Sequence, residues 1–424
     1  EQLAILLAPV VVNRKMEVIP DGFVAVRGER TIGTGSRERL SIPKSARVIR
    51  LKDSILMPGL VNAHCHLDFT LMKGKVPAAG GFASWIGRIV EKKRSWSDAD
   101  YKTSIQLGMR QCIESGTTAV ANITCVPHLV SSLDLEAAPR IWWFAEQLDL
   151  SRMCNLDQGE WNAYLTPRFP RQSFSLSPHA LYSVSPALLE KTIGFCNHHG
   201  LPWTAHVAES RDEWEMFHDA SGPLFDLVKK LGRDMADCGG TTPLRRLLDI
   251  SRGSRSPGLL THWKTPAAGH LEMDSRAPAI LAHMNCLSDE DVHALESNRG
   301  HFSIAHCPRS HAFFRHPPFR LNDLHAAGVN LALGTDSLAS NRDLNMFSEM
   351  RKMRRTFPRV PARAIVEMAT VNGAIALGEG ENWPQWADWI AIPNSRPSPF
   401  ESIIQFADSP KFVMVAGRVV KKMI

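Results

Sequence analysis

Two histidines separated by a single residue, His64 and His66, are the first feature of the sequence that could do chemistry. They end an apolar run that starts at Leu56, and such a run predicts a β-strand. Side chains alternate between the two faces of a strand, so both imidazoles point to one side and Cys65 to the other. This pair is half of a site for a cation such as zinc, but ordinary strands also carry such pairs.

Further candidate ligands stand at the ends of other predicted strands. His206 ends the fifth strand, His283 the sixth and Asp336 the eighth, while Glu209 follows His206 by three residues. A single histidine at a strand end is more often structural, but joint placement at the same end of successive strands is not explained by packing. Three imidazoles and a carboxylate would make a catalytic zinc or iron(II) site with room for water.

The elements that must position these residues are strands alternating with helical patterns. After the strand that ends at His66, apolar runs occupy 117–122, 140–145, 174–179, 202–207, 279–283, 301–306 and 329–334. Helix signals stand between them, such as the Ser185-Pro186 start and the Gly200 stop. Strands that alternate with helices indicate parallel βα units, and eight units favour a closed α/β barrel of the (β/α)8 TIM type. Polar residues at the carboxyl ends of its strands would face the active site.

The two ends of the chain differ from its middle. Residues 1–56 show short strands separated by turns, and residues 384–424 show the same pattern. We therefore predict a small composite β-sandwich domain from both chain ends, with residues 57–383 forming the barrel. The longest gap between barrel strands contains a predicted helix at 223–232 and a polar loop at 251–258, which we interpret as a surface insertion.

Composition and charge exclude several classes of protein. The 424 residues are 44% apolar and 22% charged, which is ordinary for a globular protein. The net charge of +6 is spread along the chain, and clusters such as Arg354-Arg355 fit a solvated helix face, so we expect no nucleic-acid partner. No apolar run is long enough to span a bilayer. Eight irregularly spaced cysteines indicate reduced thiols, and we expect a cytoplasmic protein with a small-molecule substrate.

The ordered set of motifs resembles the amidohydrolase superfamily, and within it the cytosine-deaminase-like, guanine-deaminase-like and chlorohydrolase-like branch. The motifs that carry the resemblance are Pro58–His66, Ala205–Glu209, Leu281–His283, His306–Ser310 and Leu333–Ser337. The resemblance covers nearly the whole chain. It implies a metal-dependent barrel that hydrolyses a carbon–nitrogen bond, usually that of an amino group on a nitrogen heterocycle.

The resemblance also implies roles for individual residues. The implied metal ligands are His64, His66, His206 and Asp336. Glu209 and His283 would transfer protons beside the attacking water, with Glu209 as the acid for a ring nitrogen and Asp336 as the acceptor of the water proton. Binuclear relatives carry a bridging carboxylated lysine, typically on the fourth strand, whereas no lysine lies between Lys102 and Lys191 here. We therefore expect one divalent metal ion, Zn²⁺ with Fe²⁺ as the alternative.

Substrate contacts are predicted at two positions. His179, at the end of the fourth strand, matches a position that contacts substrate in related deaminases, although a hydrogen-bonded barrel histidine explains it as well. Trp85, in a region predicted to be looped, stands where this branch often places an aromatic lid, and packing against a helix is the equal alternative. Glu146, just after the third strand, could meet a polar substituent of the substrate, but a surface carboxylate is the more common case, and we assign it to the surface. His306 ends the seventh strand without a clear ligand role, and we interpret it as structural.

Two stretches narrow the substrate class. Residues 307–311 and 335–341 resemble aminofutalosine deaminases, which implies deamination of an adenine nucleoside of the aminofutalosine, S-adenosylhomocysteine or methylthioadenosine type. His311 departs from the pattern, because many relatives carry asparagine there. The alternatives are a guanine or pterin deaminase, a triazine chlorohydrolase or an amidase, and more remotely a non-catalytic barrel scaffold. Homodimers are common among these relatives, so we include a homodimer among the expected assemblies.

Overall fold

The computed structural model describes residues 2–150, 160–161, 171–253, 277–379 and 386–422. The predicted polar loop at 251–258 lies mostly outside these residues, as does the predicted domain boundary at 384. The strands are β1 (Leu3–Val12), β2 (Val18–Arg27), β3 (Arg30–Ser36), β4 (Arg47–Arg50), β5 (Ser54–Pro58), β6 (Leu60–His66), β7 (Thr117–Thr124), β8 (Arg140–Gln147), β9 (Gln172–Pro178), β10 (Trp203–Val207), β11 (Ala279–His283), β12 (Phe302–His306), β13 (Asn330–Leu333), β14 (Asp336–Ser337), β15 (Trp389–Pro393), β16 (Phe412–Val415) and β17 (Arg418–Lys422).

The helices connect these strands and are numbered along the described chain. They are α1 (Gly81–Arg94), α2 (Asp98–Glu114), α3 (Pro186–His199), α4 (Arg211–Asp219), α5 (Pro223–Lys230), α6 (Pro243–Gly253), α7 (Asp289–Ser297), α8 (Pro308–Phe314), α9 (Leu321–Ala326), α10 (Met346–Thr356), α11 (Ala362–Met368), α12 (Val371–Ala376) and α13 (Pro399–Gln405). Among them, none combines the length and the apolar character needed to cross a membrane.

Both chain ends contribute to one eight-stranded sheet. Its order is β17-β16-β15-β5-β1-β2-β3, with β4 paired to β1. Strand β5 runs antiparallel to β15, so Pro58 lies opposite Trp389 and the two ends of the chain meet there. Apolar side chains from both ends share one buried cluster, including Leu6, Val24 and Phe412. Strands from the head and the tail of the chain therefore share one sheet, and the β-sandwich domain stays a prediction.

The middle of the chain forms parallel β-structure covered by helices, which is an α/β fold. One sheet has the order β14-β6-β7-β8-β9 and the other β10-β11-β12-β13, and every neighbouring pair is parallel. All eight predicted strands are present. A parallel bridge between Ala180 and His206 links the two sheets, and the Thr335 amide donates to the His64 carbonyl oxygen at 3.1 Å. The carboxyl ends of β6, β10 and β11 carry the candidate histidines.

Local sequence explains the regular elements and two departures from prediction. Ser185 accepts a hydrogen bond from the Leu188 amide at the start of α3, and Gly200 ends that helix with φ 63°, as predicted. Trp85 was predicted in a looped region, but it lies in α1. That prediction was wrong because the residues after Gly81 include strong helix formers such as Glu91 and Lys92, and α1 begins at Gly81 itself. The predicted helix at 223–232 is α5, with α4 and α6 beside it.

Arg140 ties the parallel structure to the terminal sheet. It starts β8, is 1% exposed, and donates to Asp388 at 2.8 Å and to Glu379 at 2.5 Å. Its guanidinium also lies over the rings of Trp142 and Trp386. A buried cation with two carboxylate partners is strongly coupled to folding, because loss of the cation leaves buried charges without compensation.

Replacing Arg140 with methionine should therefore lower the free energy of unfolding by about 3–5 kcal/mol. Denaturant unfolding followed by circular dichroism measures this change. Arg37→Met is the matched control, since that guanidinium lies 3.9 Å from Asp21 and both side chains are at least half exposed. The control should cost at most about 1 kcal/mol. Equal effects of the two substitutions would show that the buried pairs contribute little.

Candidate metal centre

The histidines at the end of β6 point to the same side, as alternation in a strand predicts. The rings of His64 and His66 lie 5.1 Å apart between centroids, and both side chains are buried. Cys65 between them is fully buried, and burial raises the pKa of its thiol to about 12. The thiol therefore packs in the core as a neutral group on the opposite face of the strand.

His206, at the carboxyl end of β10, completes a group of three imidazoles. Its Nε2 lies 3.2 Å from Nε2 of His66, and its Nδ1 lies 2.6 Å from the His179 carbonyl oxygen. Because a carbonyl oxygen only accepts, Nδ1 of His206 carries the hydrogen and Nε2 presents its lone pair. Burial lowers the pKa of His66 to about 3 and that of His206 well below its usual range, so both rings are neutral.

Asp336 lies in β14, a two-residue strand that follows β13 and pairs with β6. From this position its side chain reaches the histidines. Its Oδ1 lies 3.7 Å from Nε2 of His64 and 3.8 Å from Nε2 of His66. Its Oδ2 accepts hydrogen bonds from the hydroxyls of Ser310 at 2.7 Å and Ser340 at 2.8 Å. The residue adopts φ 59°, a left-handed conformation that is costly for aspartate and is often found at functional sites.

A glycine makes this approach to the histidines sterically feasible. A Cβ atom at Gly334 would lie 2.8 Å from the His64 carbonyl oxygen, closer than real side chains come to backbone atoms. Only glycine therefore lets the segment before Asp336 pass beside His64. Burial alone would raise the pKa of Asp336, but its interactions with His64, His283 and His66 hold that pKa well below its usual range.

The four converging side chains fit a divalent cation. Both ring nitrogens of His64 are buried without a hydrogen-bond partner in the described part of the chain. Ligand atoms of His64, His66 and Asp336 lie within 4.8 Å of one another, as do those of His64, His206 and His283. Two nitrogens bound to one tetrahedral zinc ion lie about 3.3 Å apart, close to the 3.2 Å between His66 and His206. Neutral imidazoles and an ionised carboxylate are the donors that zinc or iron(II) prefers.

Glu209 and His283 lie beside these ligands. Nε2 of His283 is 3.6 Å from Oε1 of Glu209, and both side chains are buried. Ligand atoms of Glu209, His283 and Asp336 also lie within 4.8 Å of one another. Burial, together with the charges of Asp336 and Glu213, raises the pKa of Glu209 well above its usual range. The environment of Glu209 thus favours its protonated form, whereas that of Asp336 favours the ionised form.

Two residues that the sequence analysis missed hold the backbone of Glu209. The Glu209 amide donates to Oε2 of Glu213 at 2.7 Å, and Nδ2 of Asn285 donates to the Glu209 carbonyl oxygen at 2.9 Å. The available signal was the spacing of Ser210 and Glu213, which is typical of a capping box at a helix start. In the structure Ser210 caps α4 as this spacing suggests, but the Glu213 carboxyl turns back to Glu209.

Glu213 should make stability depend on pH. Burial raises its pKa to about 8, although hydrogen bonds from the amides of Glu209 and Ala208 lower it. An unfolded glutamate releases its proton near pH 4.3, so the folded state binds more protons between this pH and pH 8. The contribution of Glu213 to the free energy of unfolding is therefore fully present below about pH 4.3 and is lost as pH rises through 8. The loss is at most about 1.4 kcal/mol per pH unit.

Glu213→Gln should flatten the fall of the melting temperature between about pH 5 and pH 8. Melting followed by calorimetry across this range measures the slope. Glu215→Gln on the same helix is the control, because Glu215 pairs with Arg211 near the surface. The control should keep the wild-type slope. An unchanged slope in Glu213→Gln would show that Glu213 is ionised in the folded protein throughout this range.

A small cavity of about 60 Å³ opens beside the candidate ligands. Trp85 and His179 both line it, in the positions predicted to contact substrate. Trp85 also packs on Phe82 and Phe314, at centroid distances of 6.1 and 4.9 Å. Nδ1 of His179 lies 2.6 Å from the hydroxyl of Ser183. Both residues therefore combine a packing role with access to the cavity.

Two other sequence interpretations can be compared with the structure. Glu146 was assigned to the surface, but it is 7% exposed and lines the cavity, so that interpretation was wrong. The reason is that β8 continues two residues beyond the predicted end at 145, which keeps Glu146 in the buried end of the sheet. His306 was interpreted as structural, and its ring stacks on Phe319 at 3.8 Å between centroids.

Histidines and carboxylates gather here at the carboxyl ends of parallel strands, which is where α/β enzymes of this type carry their active sites. The model of the Amidohydrolase family matches residues 55–420. The chain belongs to the amidohydrolase family, as the motifs predicted.

Named relatives cover most of the chain. It is 27% identical, over an alignment of 440 positions with gaps, to a 5-methylthioadenosine/S-adenosylhomocysteine deaminase of Nitratidesulfovibrio vulgaris. The alignment covers 95% of this chain and 87% of the relative. It is 26% identical over 395 residues to the aminodeoxyfutalosine deaminase of Deinococcus radiodurans, covering 87% of this chain and 86% of the relative. The structure of a Xanthomonas campestris adenosine deaminase with bound zinc superposes with a TM-score of 0.79 at 24% identity, covering 99% of this chain and 93% of that one. This last similarity supports the fold.

Proposed function

We propose that the protein is a metal-dependent hydrolase that removes the amino group of an adenine nucleoside derivative as ammonia. The observation that carries the proposal is the convergence of Glu209, His283 and Asp336, within 4.8 Å of one another, beside the cluster of buried imidazoles. The names of the curated relatives support a methylthioadenosine, S-adenosylhomocysteine or aminodeoxyfutalosine type of substrate. Other amidohydrolase reactions also need metal ligands, but a buried carboxylic acid suits the protonation of a ring nitrogen.

The proposed ligands of a single Zn²⁺ ion, with Fe²⁺ as the alternative, are His64, His66, His206 and Asp336. A bound ion of this kind would lower the pKa of a water molecule toward neutrality and so supply the nucleophile. The neutral imidazoles leave their lone pairs free for this ion, and the hydroxyls of Ser310 and Ser340 orient the Asp336 carboxylate.

The other proposed roles concern protons and access. Glu209, whose protonated form is favoured by burial, donates a proton to a ring nitrogen and draws electron density away from the carbon under attack. Asp336, which is ionised, accepts a proton from the attacking water. His283 donates a hydrogen bond to the oxygen that adds to the ring. Trp85 and His179 line the space where the heterocycle would lie, and burial excludes bulk water from it.

The proposal includes a finer architecture. We infer that the two parallel sheets close into one (β/α)8 barrel over 57–383, which the Ala180–His206 bridge and the Thr335–His64 hydrogen bond support. Residues 1–56 and 384–424 would then form the small β-sandwich domain. Seven described cysteines are free thiols, which supports a cytoplasmic setting. A homodimer with no nucleic-acid partner stays a prediction.

The direct test is a deaminase assay on the purified full chain, freed of metal and then loaded with zinc or iron. Methylthioadenosine, S-adenosylhomocysteine, aminodeoxyfutalosine, adenosine and guanine form the panel, and ammonia release is the measured quantity. We expect release from at least one adenine nucleoside, dependent on added metal. Ammonia from guanine alone, or none from any member with metal bound, would refute the proposed substrate class.

A further inference from the structure

A buried ion pair lines the same cavity but takes no part in the proposed proton transfers. Nζ of Lys93, on α1, donates to Oε2 of Glu146, at the end of β8, at a distance of 3.2 Å. The side chains are 16% and 5% exposed. A buried ion pair rarely increases stability over apolar residues of similar size, because removing both charges from water costs several kcal/mol per ion. Its presence on the wall of a substrate cavity therefore suggests a role in recognition.

Only one oxygen of the Glu146 carboxylate accepts a hydrogen bond from the described residues. Oε2 accepts from Lys93, whereas Oε1 receives no hydrogen bond from any described residue. Nε2 of His179 lies 3.7 Å from Oε1, which is beyond hydrogen-bond distance. An ionised carboxylate can only accept hydrogen bonds. Oε1 thus presents an acceptor on the cavity wall for a ligand that brings donors.

Charge and geometry keep this acceptor in place. Burial would raise the pKa of Glu146, but Lys93, His179 and His66 lower it to about 2, so the carboxylate stays ionised. Lys93 also lies over the ring of Phe69, at 5.4 Å from its centroid, which limits its movement. A fixed acceptor loses little conformational entropy when a ligand binds, and this favours selective recognition.

The surroundings indicate what kind of donor fits. Phe69, Trp85, Ile86 and Ile89 make an apolar part of the wall, suited to the faces of a flat heterocycle. Glu146 lies beside Lys93 and His179, whereas Glu209 lies beside His283 next to the candidate ligands. When the reacting edge of the ring meets Glu209, a donor that reaches Glu146 belongs to another part of the substrate. In a nucleoside, that substituent is the sugar, and its neighbouring hydroxyls are donors.

We propose that Glu146, held by Lys93, is a specificity-determining residue that accepts hydrogen bonds from the ribose hydroxyls of the substrate. This inference rests on the proposed function, since it assumes that an adenine nucleoside occupies the cavity. It makes the enzyme selective for ribonucleosides over deoxynucleosides and free bases.

The test compares adenosine with 2′-deoxyadenosine and 3′-deoxyadenosine in the metal-loaded wild type and in Glu146→Gln. A hydrogen bond to a charged group corresponds to about a ten- to hundredfold effect on kcat/KM. The wild type should prefer adenosine by this factor over at least one deoxynucleoside. Glu146→Gln should lose most of this preference, mainly through a higher KM for adenosine, while the deoxynucleoside that lacks the bonded hydroxyl changes little.

Controls separate recognition from folding. Glu91→Gln removes an exposed carboxylate from the helix that carries Lys93, and it should keep the wild-type preference. If Glu146→Gln does not fold, the double variant Lys93→Met/Glu146→Leu removes both charges together and should show the same loss of preference. Equal loss of activity on ribo- and deoxynucleosides would overturn the inference and leave the pair a structural role.

The outcomes also distinguish the two proposals. A wild type that deaminates adenosine and both deoxynucleosides with equal kcat/KM would overturn the role of Glu146 and leave the proposed function intact. A metal-loaded wild type that deaminates no nucleoside would overturn the proposed function, and the ribose subsite with it.

Discussion

Replacing His66 with alanine is expected to remove the bound metal and to lower deamination more than about a thousandfold. The His66 ring lies 3.2 Å from that of His206 and 3.8 Å from the Asp336 carboxylate, so one substitution opens the centre of the ligand cluster. After the loss of one of the four ligands, a carboxylate and two imidazoles remain. These three ligands are too few to hold the ion tightly when it is present at low concentration. Metal analysis after gel filtration and the ammonia assay measure the two effects.

Cys65→Ala is the matched control, because Cys65 is the neighbour of His66 and points to the opposite face of β6. It should keep both metal and activity, with only a modest stability cost from the lost sulfur. Addition of excess zinc to His66→Ala should restore little activity, since the imidazole also positions the ion. Full metal content in His66→Ala would show that the ion is held by another set of ligands, such as His64, His206 and His283.

Glu209→Gln is expected to lower kcat by about 10²- to 10⁴-fold while the metal stays bound. Glutamine has nearly the same shape, and its backbone would still be held by Glu213 and Asn285. It cannot supply the proton that the ring nitrogen needs, so the loss should appear in kcat rather than in KM. Steady-state kinetics together with metal analysis of the same sample measures both quantities.

The control for Glu209→Gln is Glu215→Gln, which changes a partly exposed carboxylate on the adjacent helix α4. It should leave kcat within about twofold, as expected for surface substitutions away from the site. Turnover close to the wild-type value in Glu209→Gln, with metal bound, would show that another group protonates the substrate. His283, 3.6 Å from Glu209, would then be the first residue to examine.

Much of the fold could be predicted because its signals are local. Parallel strands buried on both faces appear as short apolar runs, so each of the eight strands from β6 to β13 was found near its true bounds. Helix starts such as Ser185 depend on side-chain bonds to amides three residues away, which the sequence displays directly. The prediction failed at Trp85, which lies in the helix α1 although two glycines, Gly80 and Gly81, stand at the start of that helix.

The sequence by itself determined which residues could meet, since strand alternation and strand ends placed His64, His66, His206, His283 and Asp336 on one edge of the parallel structure. Tertiary structure decided how they meet. It gave Asp336 its left-handed backbone where Gly334 passes His64, and it placed Asn285 against the Glu209 carbonyl oxygen. It also buried Glu146 against Lys93 on the cavity wall, where sequence favoured the surface. These features depend on contacts between residues distant along the chain, and local patterns do not carry such distances.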